Sequence, residues 1–421
     1  MSERSAPRLR TADRQQIIPA MPLEDLLDTD HQARLVWDFC LGLDLTPLYD
    51  QIRSRVGRPG HPALDPRIGV ALWLYATLEG VGSARALAWL CQHHNAFRWL
   101  AGGVSVNYHT LADFRVGHLE FLDDLLTHSV AVLREQDLVD LNRVALDGMR
   151  VRASAGAASF RRKQTLEEHL QEARDQVSRL QEEMDDDPSA GSRRQAAARE
   201  RVACEREGRV RQALERLPEL EAKKKPGEKD KARASTTDPE ATVMKMADGG
   251  YRPAYNVEYA AATAGQVVVG VSVTTSGSDM GQITPLLDQV EERFAARPQE
   301  ALGDGGLAKH DDIEQAQQKG TTVYVPVPEP KDPKRDRYEP LPGDSPEIAA
   351  WRRRMKTDEA KEIYKERAST IECVNAQARN RGLIRLLVRG LGKVRAVALW
   401  YAIAHNVRRG FSLRGQLATA N

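Results

Sequence analysis

The apolar periodicity of the chain changes at residue 143, and that break limits what it can fold into. Before it, between residues 20 and 135, apolar residues recur at helical spacing between glycine turns. After it they gather in short runs that suit strands. Asp65-Pro66 places a cap and a proline where a helix starts, and Ile68, Leu72, Tyr75 and Ala76 follow on one face. Gly82-Ser83 opens a second helix through Leu90. Gly102-Gly103 makes a turn, and Asn107 or His109 caps a further helix carrying Leu111, Phe114 and Arg115. Short helices with a polar, basic start at the last of them are compatible with a helix-turn-helix unit, and equally with an all-α bundle that touches no groove.

Beyond the break, Arg143 to Val151 reads as an apolar strand with Asp147 near its end. Residues 163 to 222 then interrupt the strands. Leu166, Leu170, Ala173, Val177, Leu180 and Met184 are spaced 4, 3, 4, 3, 4, a narrow coiled-coil seam. Asp185 to Asp187, Pro188 and Gly191 break it, and Ala203, Val210, Ala213, Leu217 and Leu220 form a second arm. The pair predicts an antiparallel helical hairpin. Strands resume at Ala254–Ala261 and Gln266–Thr275, with Ala264-Gly265 as the turn between them. A helix capped by Asp279 should run through Phe294, a strand from Glu300 to Asp304, a helix from His310 to Lys319 and a strand from Thr321 to Val327. Residues 328 to 345 hold five prolines and read as a loop. Helix follows from Pro346 to about Asn380 and again from Ile384 to Arg409. Asp311, like Asp279, is expected to be a helix cap.

Lys+Arg (61) and Asp+Glu (60) nearly balance, so net charge alone identifies no partner. The distribution is uneven. From Cys373 onward there are nine Lys/Arg and no Asp or Glu, the asymmetry of a polyanion contact. The four cysteines form no CxxC pair, which argues against a disulfide framework and a zinc site. Without an apolar leader or an apolar run of about 20 residues, the chain is expected to be soluble and cytoplasmic.

Asp147-Gly148 and Asp304-Gly305-Gly306 each put a carboxylate at a strand end beside glycines. Phosphodiester chemistry with two divalent ions ~3.5–4 Å apart needs hard carboxylate ligands and room for a phosphate. A third acid would come from the helix after the loop, where Lys365, Glu372 and Arg379 recur every seven residues as one stripe. Each feature also has a plain reading, as a turn or as a solvated helix face.

Ala145 to Ser154 resembles the first catalytic motif of DDE transposases of bacterial insertion sequences. Thr236 to Glu240, Met244 to Met246 and Gly250 to Asn256 resemble the family's strand-two region, and Gly277 to Gln282 with Leu302 to Gly306 its second-acid region. Tyr364-Lys-Glu-Arg367 through Glu372, then Arg379, is similar to its tyrosine-arginine-glutamate-lysine signature. Gly57 to Pro62 and Asp113 to Arg115 resemble its helical N-terminal domain. The resemblance spans nearly the whole chain. It implies an α/β fold with a ribonuclease H-like mixed sheet over 136–162 and 231–383, preceded by an all-α DNA-binding domain (1–135). The coiled-coil hairpin (163–230) would interrupt the sheet, and a basic C-terminal helix and tail (384–421) would follow it.

The resemblance further implies that Asp147, Asp304 and Glu372 bind two Mg²⁺ or Mn²⁺ ions. Tyr364, Lys365, Arg367, Arg379, Arg115, His109, Arg385 and Arg389 would contact DNA: the terminal inverted repeats and the target. The chain is expected to act as a homodimer, because two ends must be synapsed. Two departures stand out. Four residues, not three, separate Arg367 from Glu372, and arginine replaces the usual lysine at 379. On an ideal helix, Tyr364 and Glu372 would lie about 80° apart. A nuclease without transposition and a DNA-binding protein descended from a transposase are the competing readings.

Overall fold

A computed structural model describes residues 21–54, 62–186 and 193–420. Gly57 to His61 of the N-terminal motif, and Asp187, Pro188 and Gly191 between the hairpin arms, lie outside the described residues.

Among the described residues, a short 3-10 turn (Leu23–Leu26) is followed by seven α-helices: α1 (Gln32–Leu41), α2 (Thr46–Asp50), α3 (Pro66–Leu78), α4 (Ala84–His93), α5 (Asn95–Ala101), α6 (Tyr108–Gly117) and α7 (Leu119–Glu135). Their starts follow the capping chemistry. The Asp65 carboxylate accepts from the Arg67 N–H, Ser83 from Ala86, and Asn107, rather than His109, from the His109 N–H. Nearly every residue of α3 is buried, so it forms the centre of the helical layer and not an amphipathic edge.

The sheet is built on β1 (Arg143–Arg152), after which come β2 (Phe160–Arg161), α8 (Lys163–Asp186), α9 (Arg193–Ala222), β3 (Ala234–Ser235) and β4 (Thr242–Lys245). The hairpin β5 (Tyr251–Ala262) and β6 (Val267–Thr274) follows, then α10 (Ile283–Phe294), β7 (Glu300–Gly303), α11 (His310–Gln318) and β8 (Thr322–Tyr324). β5 runs antiparallel to β1, and β6 antiparallel to β5. β7 and β8 add in parallel on the other side of β1, each reached through a helix as parallel pairing requires. β4 and β6 share the outer edge of β5 end to end. The result is one mixed sheet with β1 at its centre.

α8 and α9 leave the chain between β2 and β3, whose short pairing closes their base. They lie antiparallel, with Arg206 reaching Gln176 and Gln181 reaching Glu200. Leu166, Val210, Ala213 and Leu217 pack with Ala232 and Ala234 as an apolar cluster separate from the main core.

The C-terminal part begins with α12 (Pro346–Lys356) and α13 (Asp358–Arg367). A π turn (Ala368–Glu372), α14 (Cys373–Asn380) and the long α15 (Leu391–Ala420) follow. The expected helix from Ile384 therefore starts later. Residues 384 to 386 bridge to β1 instead, with the Arg152 N–H donating to the Ile384 carbonyl and the Leu386 N–H to the Arg152 carbonyl. α15 packs against α3, α7 and β6, and joins them in one apolar cluster running from Leu27 to Val407. Its Asn406 amide bonds both the N–H and the carbonyl of Val268, satisfying backbone at the irregularity in the β5–β6 ladder. Among the described residues no helix is long and apolar enough to cross a membrane.

Candidate active site

The parallel register pairs Leu146 with Gly303, so the next residue on each chain segment is an acid: Asp147 and Asp304. β7 ends there. Among the described residues, the edge of β1 from Asp147 to Val151 has no strand partner on that side until Arg152 meets the 384–386 segment. Side chains alternate along a strand, so Asp147 and Gly148 face opposite sides of the sheet at this gap.

On the Asp147 side lie α13, the π turn and α14. Asn375 Nδ2 donates to Asp147 Oδ2 at 2.9 Å, and Arg367 Nη1 stands 4.0 Å from the same oxygen. The other end of the Arg367 fork donates to Glu372 Oε1 at 2.5 Å. One guanidinium thus spans two of the three expected acids. The π turn explains the irregular spacing. In an α-helix, residues five apart stand about 140° apart around the axis, whereas an i→i+5 turn brings them back together. The extra residue between Arg367 and Glu372 is absorbed at Ala368–Glu372. The same turn breaks the seven-residue phase assumed for Lys365, Glu372 and Arg379. Lys365 is exposed and pairs with Glu362.

On the Gly148 side the structure corrects an expectation. Asp279 does not cap α10. It turns inward and accepts from Asn256 Nδ2 at 2.5 Å, with Arg150 at 3.9 Å. The α10 start is capped instead from another helix, by Asp312, whose two oxygens accept from the Ile283 and Thr284 N–H groups at 2.9 Å each. Asp311 is likewise no cap. It sits within the first turn of α11, whose N-cap position is Lys309. Glu258, opposite Gly148 on β5, is buried and bonded to Asn256. Asn256 and Glu258 alternate in a strand of Ala, Val and Tyr, and two polar residues facing one side of such a run were the sequence signal for this part of the site.

The electrostatics are those of crowded acids. Burial, then the neighbouring Asp304, pushes the Asp147 carboxyl up to about 6, against the opposing pull of Arg367 and Asn375. Burial, then Asp279 and Asp147, pushes Glu258 up to about 9. Hard oxygen donors that repel one another suit a hard divalent cation. Gly306 borders two of these carboxylates: a Cβ there would stand 3.0 Å from Asp304 Oδ1 and 3.5 Å from Asp279 Oδ2. As the side chains stand, no three acids, histidines or cysteines among the described residues converge on one point, and Glu372 is held by Arg367 instead.

The expected DNA-contacting residues divide. His109, Arg379, Arg385 and Arg389 are exposed, the last donating to the Ser154 carbonyl at 3.2 Å. Tyr364 is half-buried beneath Arg367. Arg115 is not at the surface. It is buried over the Trp73 ring and donates to the Gly82 carbonyl, because the helix it lies on turns that face to α3. The nine C-terminal cations do not form one free surface either. Arg381 is buried, Arg395 pairs with Asp123, and Arg409 and Arg414 bond Gly265 and Gln136.

A family model described as a transposase DDE domain matches residues 344–411, the segment that carries Arg367, Glu372 and Asn375. A second, described as a transposase domain, matches residues 21–116, the helical layer through α6. No curated protein and no solved structure matches the chain. The two matches lie in the order the motifs require, on either side of the sheet that carries Asp147 and Asp304, and together they support a DDE transposase of insertion-sequence type.

Proposed function

We propose that the chain is an insertion-sequence transposase that binds terminal inverted repeats, cuts the DNA strand at the element ends and transfers the free 3′ hydroxyl to target DNA. One observation carries this reading: the β1–β7 register sets Asp147 and Asp304 side by side at a gap in the sheet, with Arg367 linking Asp147 to Glu372. The strand order, with β5 and β6 antiparallel on one side of β1 and β7 and β8 parallel on the other, supports a ribonuclease H-like core. The α8–α9 pair is then a coiled-coil insertion within it.

Asp147, Asp304 and Glu372 would hold two divalent ions, Mg²⁺ or Mn²⁺. Bound there, such ions supply charge relief and Lewis acidity for in-line displacement at phosphorus. Asn375 fixes the Asp147 carboxylate. Arg367 neutralises Asp147 and Glu372, and its planar fork suits a phosphate once DNA arrives. The exposed Arg379, Arg385 and Arg389 flank the gap as phosphate contacts that position the strand without reading it. The helical layer with exposed His109 supplies end recognition, and synapsis of two ends calls for a homodimer, acting at the cytoplasmic nucleoid.

The test is a strand-cleavage and strand-transfer assay on end-containing DNA with Mg²⁺. Asp147→Asn, Asp304→Asn and Glu372→Gln should each abolish both products and leave end binding in place. Cleavage by any one of them at the wild-type rate would refute the three-acid site. Cleavage without joined product from the unaltered chain would make it a nuclease.

A further inference from the structure

Asp279 is unused by the three-acid reading, yet it occupies the same gap. A Cβ on Gly148 would stand 2.4 Å from Asp279 Oδ1 and 3.0 Å from Asn256 Oδ1. Glycine at 148 is therefore what lets the carboxylate reach the strand. The would-be Cβ of Gly306 meets Asp279 Oδ2 and Asp304 Oδ1 together, so these two carboxylates border one small space. A second observation is independent of the acids. Asn256 is fully buried, its Nδ2 is committed to Asp279 and Glu258, and its Oδ1 has no hydrogen-bond partner. A buried amide oxygen left unpaired is unfavourable, and an oxygen-seeking cation beside it would remove that penalty. Asn375 repeats the pattern on the other face, with Nδ2 on Asp147 and Oδ1 unpartnered.

The geometry points to Asp279 as a fourth carboxylate of the divalent-cation centre, with Asn256 as the residue that positions it. Asp279 reaches the gap on the Gly148 face and Asp304 follows the end of β7, while Glu372 lies on the Asp147 face, held by Arg367. The neighbouring Asp312, which is structural, spends both oxygens on backbone N–H groups of α10. The side-chain bond from Asn256 to Oδ1 holds Asp279 in place, and Oδ2, with the Arg150 guanidinium 3.9 Å away, borders the space beside Gly306.

This inference rests on the metal site proposed above, and the experiment separates the two. Thermal melts of the full chain are run with and without Mn²⁺, the ion alone being the probe. Asp279→Asn removes one of several repelling carboxylates. Its metal-free melting temperature should hold or rise, while the Mn²⁺ concentration giving half the stabilisation shifts upward on the order of 10–100-fold. Asp312→Asn should do the reverse, lowering the metal-free melting temperature with the Mn²⁺ midpoint unmoved. A midpoint for Asp279→Asn within about twofold of wild type overturns the assignment, by the same affinity scale. Should that variant fold poorly, the unaltered chain answers instead. Fe²⁺ with ascorbate and peroxide cuts backbone next to bound iron, and cuts are expected near Asp147, Asp279 and Asp304. Cuts near Asp147 and Asp304 without one near Asp279 overturn the fourth ligand alone. Absence of iron-dependent cuts at all of them overturns the three-acid centre with it.

Discussion

Arg367 donates to Glu372 across a single π turn, five residues apart in sequence yet on one side of the helix. The turn makes the irregular motif equivalent to a regular one. Deleting Ser369, an exposed residue inside it, should convert the π turn to α and keep the pair aligned, so strand cleavage should persist. Adding one alanine at the same point rotates Glu372 by a further ~100° and should abolish cleavage. Loss of cleavage by the deletion, with the fold intact by circular dichroism, would show that the π geometry itself is required.

The acids at the gap give the metal-free protein a stability that falls with rising pH. Folded-state values are raised for both Asp147 and Glu258, so the folded protein prefers them protonated. The stability present below their ordinary values is lost as pH rises, towards about 6 for Asp147 and about 9 for Glu258. Glu258→Gln should therefore gain melting temperature relative to wild type as pH increases from 5 to 9, without metal. A difference that stays flat across that range would mean Glu258 is charged throughout.

Arg115→Ala should destabilise the protein by roughly 2–3 kcal/mol, since a buried charge-assisted bond to Gly82 and packing on Trp73 are lost together. Urea midpoints measure this. DNA affinity of the folded fraction should not change, because the side chain does not reach the surface.

Arg385, Arg389 and Lys393 are exposed, unlike their neighbours Arg381 and Arg395. Neutralising the three should reduce the slope of log affinity against log salt by ~0.9 per lost phosphate contact on duplex DNA. Neutralising Arg395, which pairs with Asp123, should change thermal stability and leave the slope alone.

Replacing residues 179–202 with a short Gly/Ser turn removes the outer half of the α8–α9 pair and keeps its own apolar cluster around Leu166, Val210 and Leu217. Folding and single-end binding should survive, and assembly of paired ends should be lost. Wild-type assembly by that variant, measured by gel retardation with two labelled ends, would make the helical pair dispensable.

The sequence by itself determined most local elements and put Asp304 at the end of a strand, whereas Asp147, expected near a strand end, lies in the middle of β1. Caps at Asp65, Ser83 and Asn107, the two helices α8 and α9, and the β5–β6 turn are short-range signals, set by backbone hydrogen bonding and side-chain period. Tertiary structure decided the rest, because those facts depend on what packs across the chain. Asp279 and Asp312 look alike as helix-start acids, and only the β1 gap and the α10–α11 packing send one into the site and the other onto backbone N–H groups. Arg115 looks like a surface cation until α3 covers it. The spacing of Arg367 and Glu372 looked like a defect on an ideal helix. Contacts of the π turn with β1 and β5 lie beyond any helical period, and they accompany an extra residue held in a wider turn that brings arginine and glutamate together.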